Sequence, residues 1–219
     1  MIKIERSYPA PASLAEEAKK ASGKYDKPDV IQRLRTDFHD KCYICEMKEL
    51  QDPQVEHLLP HENGKYPERK FDWDNLFWSC GHCNGVKNQQ KYAVGILNCC
   101  VDDPEEKISF RLREENVQVE AKDINDKQAV LTALLVQEVF DLKNTGMRVY
   151  KSDMRMRELN KEMNILYDNL EAWQKQPESK LLLRKLKVLL RKESKFAAFK
   201  RNYIKENEEK FPELLRYLA

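Results

Sequence analysis

The sequence lacks any long apolar run. No stretch approaches the ~18 apolar residues typical of a membrane span. The opening residues, MIKIERSYPAP, have neither the apolar core nor the small-residue cleavage site of a secretory signal. Internal repeats and low-complexity segments are also missing. We therefore expect a soluble, cytoplasmic protein without a membrane partner, whose six cysteines stay reduced.

The chain also has little net charge, so its overall composition does not indicate a nucleic-acid-binding protein. It carries 39 basic and 37 acidic residues, for a net charge of +2. The distribution is uneven, because residues 1–150 carry −4 and residues 151–219 carry +6. The second segment is therefore better suited to meet an anion. A length of 219 residues and a hydrophobic content of 41% allow one large or two small domains with a packed core.

Four of the six cysteines form two CxxC pairs, each of which offers two thiolates on one tight turn. These cysteines are Cys42, Cys45, Cys80 and Cys83. Although 34 residues separate the pairs, the entropy cost of closing a loop grows only slowly with its length. Two such pairs in one short region predict a structural zinc site.

Residues between and just after the CxxC pairs supply the chemistry of phosphodiester hydrolysis. That reaction needs a deprotonated water and positive charge on the developing alkoxide. His57 offers an imidazole, whose unperturbed pKa of ~6.5 suits a general base. Glu56 and Asn84 offer the carboxylate and amide oxygens that Mg²⁺ prefers. The sequence therefore predicts a metal-dependent nuclease.

The position of Glu56 directly before His57 raises a geometric question. Adjacent residues of a regular strand point to opposite faces. Both side chains can face one phosphate only at a strand end or a bulge, and Pro60 favours such an irregularity because it cannot continue the ladder.

The pattern resembles that of the HNH endonucleases, in which an acidic residue or His precedes a His, an Asn follows in the connecting loop, and a His or Asn lies on the helix. Here these positions read Glu56-His57, Asn75 and Asn84. The resemblance implies a ββα-metal fold in which His57 is the general base and Asn75 braces the loop that positions it. It further implies that Glu56 and Asn84 bind a catalytic Mg²⁺ or Mn²⁺, while the four cysteines bind structural zinc.

A wider resemblance covers most of the chain, although only residues 42–92 match specifically. A helix leads into CxICE, followed by EHxxP, FDWDNL, CxxCNxxK and a long helical tail. This order is similar to that of the small HNH subunit of the Septu anti-phage system and its relatives in retron cassettes. The resemblance implies bacterial defence and a partner ATPase of the ABC-like, SMC-related kind. The reaction that we predict is metal-dependent hydrolysis of DNA phosphodiester bonds.

The predicted fold class is α-rich α+β, with the HNH module flanked by helices and followed by a C-terminal helical bundle. Three segments are expected: a helical one over 1–41, the zinc-stapled module with a β-hairpin over 42–124, and a helical region over 125–219. We expect the last to dock the partner, to contact nucleic-acid backbone, or both.

Individual elements follow from periodicity and from start and stop signals. We predict a helix over 13–22 with a Ser13/Glu16 capping box, a helix from Pro28, a strand over 55–59, a helix over 80–91, a hairpin over 108–121 with its turn at 114–116, and amphipathic helices thereafter. Leu131, Leu135, Val139 and Leu142 form the first helical stripe of the tail, with Gly146 as its stop. Trp73, Phe77 and Trp78 are expected in the core.

Several residues keep two interpretations. The stretch Lys180–Arg201 has nine basic residues and one acidic residue, Glu193. One interpretation is a basic strip that binds the nucleic-acid backbone, here called the basic rail. The other is a helix face that is solvated or that contacts an acidic partner protein. The rail would consist of Arg184, Lys187, Arg191 and Lys195. Lys87 is either a phosphate contact or a solvated helix lysine. His82 either replaces a cysteine on zinc or, as we expect, is exposed and does not bind zinc. We expect a loop position for His61, with or without a contact to metal or phosphate, and buried thiols at Cys99 and Cys100.

Three functional alternatives remain at this level. In the first, the substrate is RNA or tRNA instead of DNA, an alternative that stays open because the predicted site does not distinguish ribose from deoxyribose. The chain is a free-standing restriction-type nuclease. Alternatively, it is a zinc-dependent nucleic-acid-binding module without catalysis.

Overall fold

The structure is a computed structural model that describes residues 1–114, 116–141 and 146–218. Helices predominate over two small antiparallel sheets, which confirms the α-rich α+β class. The helices are α1 (Ala12–Glu17), α2 (Pro28–Asp37), α3 (Gly81–Lys87), α4 (Pro104–Lys107), α5 (Lys127–Val139), α6 (Met147–Lys175), α7 (Lys180–Leu189) and α8 (Ala197–Glu206). The strands are β1 (Pro53–His57), β2 (Leu76–Cys80), β3 (Ile108–Arg113) and β4 (Asn116–Ala121). Within the described ranges, none of the helices has the length and apolar character needed to cross a membrane.

The first sheet and α3 form a ββα unit. Strands β1 and β2 pair so that Glu56 lies opposite Phe77 and His57 opposite Leu76. All of β2 is buried, and it runs directly into α3. Helix α2 contacts β2, and directly after this helix the ring of Phe38 meets that of Phe77 at 5.5 Å. The chain thus places the end of β1 beside α3.

The predicted hairpin is confirmed as β3 and β4. The alternating apolar residues Ile108, Phe110, Val117 and Val119 are buried, because one face of the hairpin is covered. Helix α5 packs on β4 and α8 packs on β3. Residue 115 of the predicted turn lies outside the described residues.

The first helix is shorter than predicted, and the capping box is wrong. Helix α1 ends at Glu17, and no side chain caps its start. The Ser13 hydroxyl instead donates to Asp29 of α2 at 2.6 Å. Near Gly23 the chain folds back so closely that a Cβ atom there would lie 2.0 Å from the backbone oxygen of Glu17. A tertiary contact has taken the capping group, whereas α2 begins at Pro28 as predicted.

Gly146 does not stop the first helix of the tail. That helix, α5, ends at Val139, and Gly146 precedes α6 with a φ of 59°. Glycine favours such a positive φ on either side of a helix, so its presence marks a break without indicating which helix it bounds. Leu142, assigned to the first stripe, lies outside the described residues.

Two further bounds differ from the predictions. Strand β1 covers Pro53–His57 instead of 55–59, and α3 ends at Lys87 instead of 91. The prediction of amphipathic helices in the tail is confirmed for α6, whose periodic apolar residues Met163, Leu166, Leu170 and Trp173 are buried.

One hydrophobic cluster extends through the described residues from Met1 to Leu214. It crosses the predicted boundary near residue 125, where the rings of Phe110 and Phe199 meet at 5.7 Å. The hairpin and α8 therefore share core with each other. The division of the chain into three functional segments stays a prediction.

Candidate active site

The four cysteines of the CxxC pairs form one buried cluster, as the spacing predicts. Their Sγ atoms all lie within 4.8 Å of one another. The sulfurs of Cys45 and Cys80 are 4.0 Å apart, far longer than a disulfide bond of ~2.05 Å. A tetrahedron with Zn–S bonds of ~2.3 Å has edges of about 3.8 Å. The cluster therefore fits a structural zinc ion.

Neighbouring helices enclose this cluster. Cys80 ends β2 and Cys83 lies in the first turn of α3. His82 lies between them but is buried, with Nε2 3.1 Å from the carbonyl oxygen of Val139 in α5. The prediction of an exposed His82 is wrong because α5 covers this side of α3, yet His82 does not belong to the metal-ligand cluster.

An open pocket of about 500 Å³ lies against α3, the helix that also carries Cys83. Its wall includes Glu56, His57, Asn84 and Lys87, which the sequence singled out. His57 is the last residue of β1, and this strand end allows two adjacent side chains to border one pocket. Further lining residues that sequence reasoning missed are Tyr25, Gln89 and Tyr92; no motif marks them, since only folding brings them here.

The imidazole of His57 is held from three sides. Its Nε2 lies 3.1 Å from the carbonyl oxygen of Lys70. The ring meets those of Tyr25 at 4.5 Å and His61 at 4.9 Å, both edge-on. Burial lowers the pKa of His57 to about 4. The ring is therefore neutral at neutral pH, which is the form that accepts a proton.

Asn75 lies outside the pocket and ties together the loop that follows His57. Its amide oxygen accepts from the backbone N–H of Leu59 at 2.8 Å. Its amide nitrogen donates to the carbonyl oxygens of Leu59 at 2.9 Å and Arg69 at 3.0 Å. These bonds join the chain after β1 to the chain before β2.

Glu56 is buried, and two donors engage its carboxylate. The Tyr43 hydroxyl donates to it, and Lys87 Nζ lies 3.5 Å away. Burial raises the pKa of Glu56, and the charge of Lys87 opposes this effect. Lys87 is itself buried and donates to the carbonyl oxygen of His57 at 2.9 Å. Its interpretation as a solvated helix lysine is therefore wrong.

Asn84 completes the oxygen donors of the pocket. Its Nδ2 donates to Gln54 at 2.6 Å, which leaves its Oδ1 without a donor among the described residues. One carboxylate and one amide oxygen suit a hard divalent cation. The oxygens of Glu56 and Asn84 therefore fit as ligands of such an ion, which would share the Glu56 carboxylate with Lys87.

The four residues of the predicted basic rail do not line this pocket. Arg184 and Arg191 are exposed. Lys187 lies over the ring of Tyr217 at 4.3 Å. Lys195 lies within 3.6 Å of carboxylates on both Glu49 and Glu158, so part of the charge is already balanced within the protein.

The other two cysteines lie apart from the four-cysteine cluster. Cys99 is buried, as predicted, whereas Cys100 is only half-buried. Arg6 Nη2 donates to the Cys100 sulfur at 3.5 Å.

Fold and site together define an α-rich α+β protein with a module built around a buried, zinc-type cluster of four cysteines. No protein-family model matches the chain. The chain is similar to the Septu protein PtuB of Bacillus thuringiensis, with 30% identity over 141 residues. The match covers 59% of this chain and 52% of that protein. The chain thus spans about half the length of the curated relative that it matches.

Proposed function

We propose that this protein is a metal-dependent HNH endonuclease that hydrolyses DNA phosphodiester bonds. One observation carries the proposal: His57, Glu56 and Asn84 converge on one pocket at the junction of β1 and α3. We further propose that it is the effector subunit of a bacterial anti-phage defence complex, which the similarity to the Septu protein PtuB supports.

In this mechanism His57 removes a proton from the attacking water. Its neutral imidazole has the required protonation state, and the Lys70 carbonyl together with the ring of Tyr25 holds its orientation. A Mg²⁺ or Mn²⁺ ion bound by Glu56 and Asn84 would supply positive charge at the leaving oxygen. Such preorganisation matters because a small displacement of the base lowers the rate steeply.

Two neighbouring residues position this machinery. Asn75 fixes the loop after His57 through its three backbone hydrogen bonds. Lys87 holds Glu56 and the His57 carbonyl from one side. Both act through other residues, so they are positioning residues in this proposal.

The proposed partner is an ATPase of the ABC-like, SMC-related kind, and its docking surface is assigned to residues 125–219. Exposed apolar side chains on the described part of this region support the assignment. They include Leu134, Met147, Tyr150 and Met154, and methionine and tyrosine are enriched at protein interfaces.

A second candidate function is a zinc-stapled nucleic-acid-binding module without catalysis. The engagement of the Glu56 carboxylate by Tyr43 and Lys87 favours it, because a metal ion must compete with a buried ammonium for that carboxylate. Cleavage that depends on a divalent metal separates the two candidates.

The test is a digestion of plasmid, single-stranded DNA and total RNA side by side, with Mg²⁺, Mn²⁺ or a chelator. We expect the wild-type protein to cleave DNA and to lose this activity on chelation. His57→Ala should abolish cleavage while zinc content and the unfolding transition stay unchanged. Cleavage retained in His57→Ala would refute the role of His57, whereas preferential cleavage of RNA would reassign the substrate.

A further inference from the structure

His61 has no part in the mechanism above, yet it borders two depressions. One is the active-site pocket, where its ring meets that of His57 at 4.9 Å. The other, of about 520 Å³, is also lined by Lys20, Lys70 and Phe71. A strand that is bound at His57 and continues into the second depression passes the ring of His61.

The two ring nitrogens of His61 have different surroundings. Nδ1 is buried and has no hydrogen-bond partner among the described residues. Nε2 likewise has no partner within the described ranges, but it is not enclosed. Only Nε2 is therefore accessible to a bound molecule.

This difference selects a tautomer of the neutral ring. A buried N–H without an acceptor is costlier than a buried lone pair without a donor. The proton therefore belongs on Nε2, the accessible nitrogen of a residue that lines both depressions, where it acts as a donor. A metal ligand needs the opposite arrangement, with a lone pair on Nε2 and a proton on Nδ1 that a second group accepts. No described residue accepts such a proton from His61.

We propose that His61 is a phosphate-binding residue whose Nε2–H donates to a non-bridging oxygen of the substrate backbone, and that it does not bind the divalent ion. The inference rests on the proposed function, since it assigns the substrate contact of that same site. A hydrogen bond to an anionic oxygen is stronger than one to a neutral acceptor, and Lys70 adds positive charge to the second depression.

Two carboxylates also line the second depression, but both are engaged elsewhere. Glu68 pairs with Arg69 at 4.0 Å. Asp72 accepts from the backbone N–H of Asp74 at 3.0 Å. The Arg69 guanidinium offsets part of the charge of Glu68, whereas Asp72 keeps its charge and its carboxylate is held by the N–H of Asp74.

The test compares three substitutions of His61 with one substitution of a histidine that lies outside the site. The glutamine amide nitrogen reaches the position of Nε2, whereas the asparagine amide nitrogen reaches that of Nδ1. We expect His61→Ala and His61→Asn to weaken binding of a labelled DNA duplex about tenfold, as the loss of a charge-assisted hydrogen bond predicts. His61→Gln should stay near the wild-type affinity. His39→Asn is the control, because His39 has a φ of 55° and asparagine tolerates this conformation.

Binding is measured by fluorescence anisotropy with Ca²⁺ in place of Mg²⁺, and a Mg²⁺ titration of cleavage gives a second readout. A Mg²⁺ requirement unchanged in His61→Ala supports the inference. A requirement that rises about tenfold, or equal affinity in all variants, overturns it. A protein that binds DNA through His61 without cleaving it keeps this inference and refutes the proposed nuclease, whereas a protein that binds no nucleic acid refutes both.

Discussion

Arg155 Nη2 lies 2.9 Å from the sulfur of Cys80, so a cation from α6 contacts the four-cysteine cluster. The guanidinium is buried and also donates to the carbonyl oxygen of Lys151 at 2.7 Å. Burial alone lowers the pKa of Arg155, but the nearby cysteine thiolates outweigh this effect and raise it. Four thiolates around a divalent zinc leave an excess of negative charge, which this arginine partly balances.

Arg155→Met should therefore weaken zinc retention. Loss of a group that orients a metal ligand typically lowers metal affinity by about 10- to 100-fold, and here a positive charge is also removed. The measurement is the rate of zinc release to a chromogenic chelator. Arg157→Met is the matched control, because Arg157 lies on the same helix, is exposed and, within the described part of the chain, pairs only with Asp153 at 2.9 Å. Equal release from both variants would contradict the prediction.

Asn75→Ala should destabilise the protein and impair the site together. It leaves one N–H and two carbonyl groups of a partly buried loop without their partner, and unsatisfied groups of this kind cost about 1–3 kcal/mol each. We expect a loss of about 3 kcal/mol in the free energy of unfolding, measured in urea. Asn169→Ala provides the comparison, since Asn169 is half-buried on α6 and, among the described residues, hydrogen-bonds only to Ile165 of its own helix. A smaller loss in Asn75→Ala than in Asn169→Ala would show that the loop does not depend on Asn75.

The surroundings of Glu46 should make the free energy of unfolding depend on pH in the acid range. Burial alone raises the pKa of Glu46, but Lys41 at 3.0 Å and the N-terminal ammonium at 3.4 Å lower it to about 2. Because the folded pKa lies below the ordinary value of 4.5, the stabilisation is complete above pH 4.5 and is lost as the pH falls towards 2. Glu46→Gln should lose about 3 kcal/mol at neutral pH, and the deficit should shrink over that acid range.

Urea unfolding at several pH values measures this deficit. The exposed Glu16→Gln variant is the control and should track the wild type. A deficit in Glu46→Gln that does not depend on pH would mean that its cause is packing and not charge.

Removing two exposed arginines of the tail should change the salt dependence of DNA binding. Arg184 and Arg191 are exposed, whereas Lys195 already lies near Glu49 and Glu158. Each phosphate contact on duplex DNA contributes about 0.9 to the slope of log affinity against log salt concentration. The double variant Arg184→Gln/Arg191→Gln should thus lower the slope by about 1.8, while Lys195→Gln should leave it unchanged. An unaltered slope in the double variant would favour an acidic protein partner for this face.

Local patterns account for the features that the sequence predicted well. Two cysteines in a CxxC spacing share one tight turn, so a single loop closure that brings the two turns together assembles all four sulfurs. Alternating residues such as Phe110 and Val119 face one side of a hairpin wherever it packs. The zinc-type cluster and the hairpin followed from such rules.

Other features depend on residues that lie far apart in the chain. Nothing in the sequence around His82 indicates that α5 covers it, and nothing around Arg155 indicates a sulfur neighbour. Ser13 matches a capping pattern, yet its hydroxyl donates a hydrogen bond to Asp29 of α2 instead of capping α1. Each outcome depends on which partner the folded chain brings closest.

By itself the sequence determined the kinds of ligand available, sulfur for zinc and an imidazole with hard oxygens beside it, because side-chain chemistry and close spacing need no folded context. Only the tertiary structure decided how those groups are engaged. It put Lys87 against Glu56, enclosed Nδ1 of His61 and neutralised His57 by burial. Protonation, pairing and access are properties of the surroundings, and these surroundings exist only after distant segments pack.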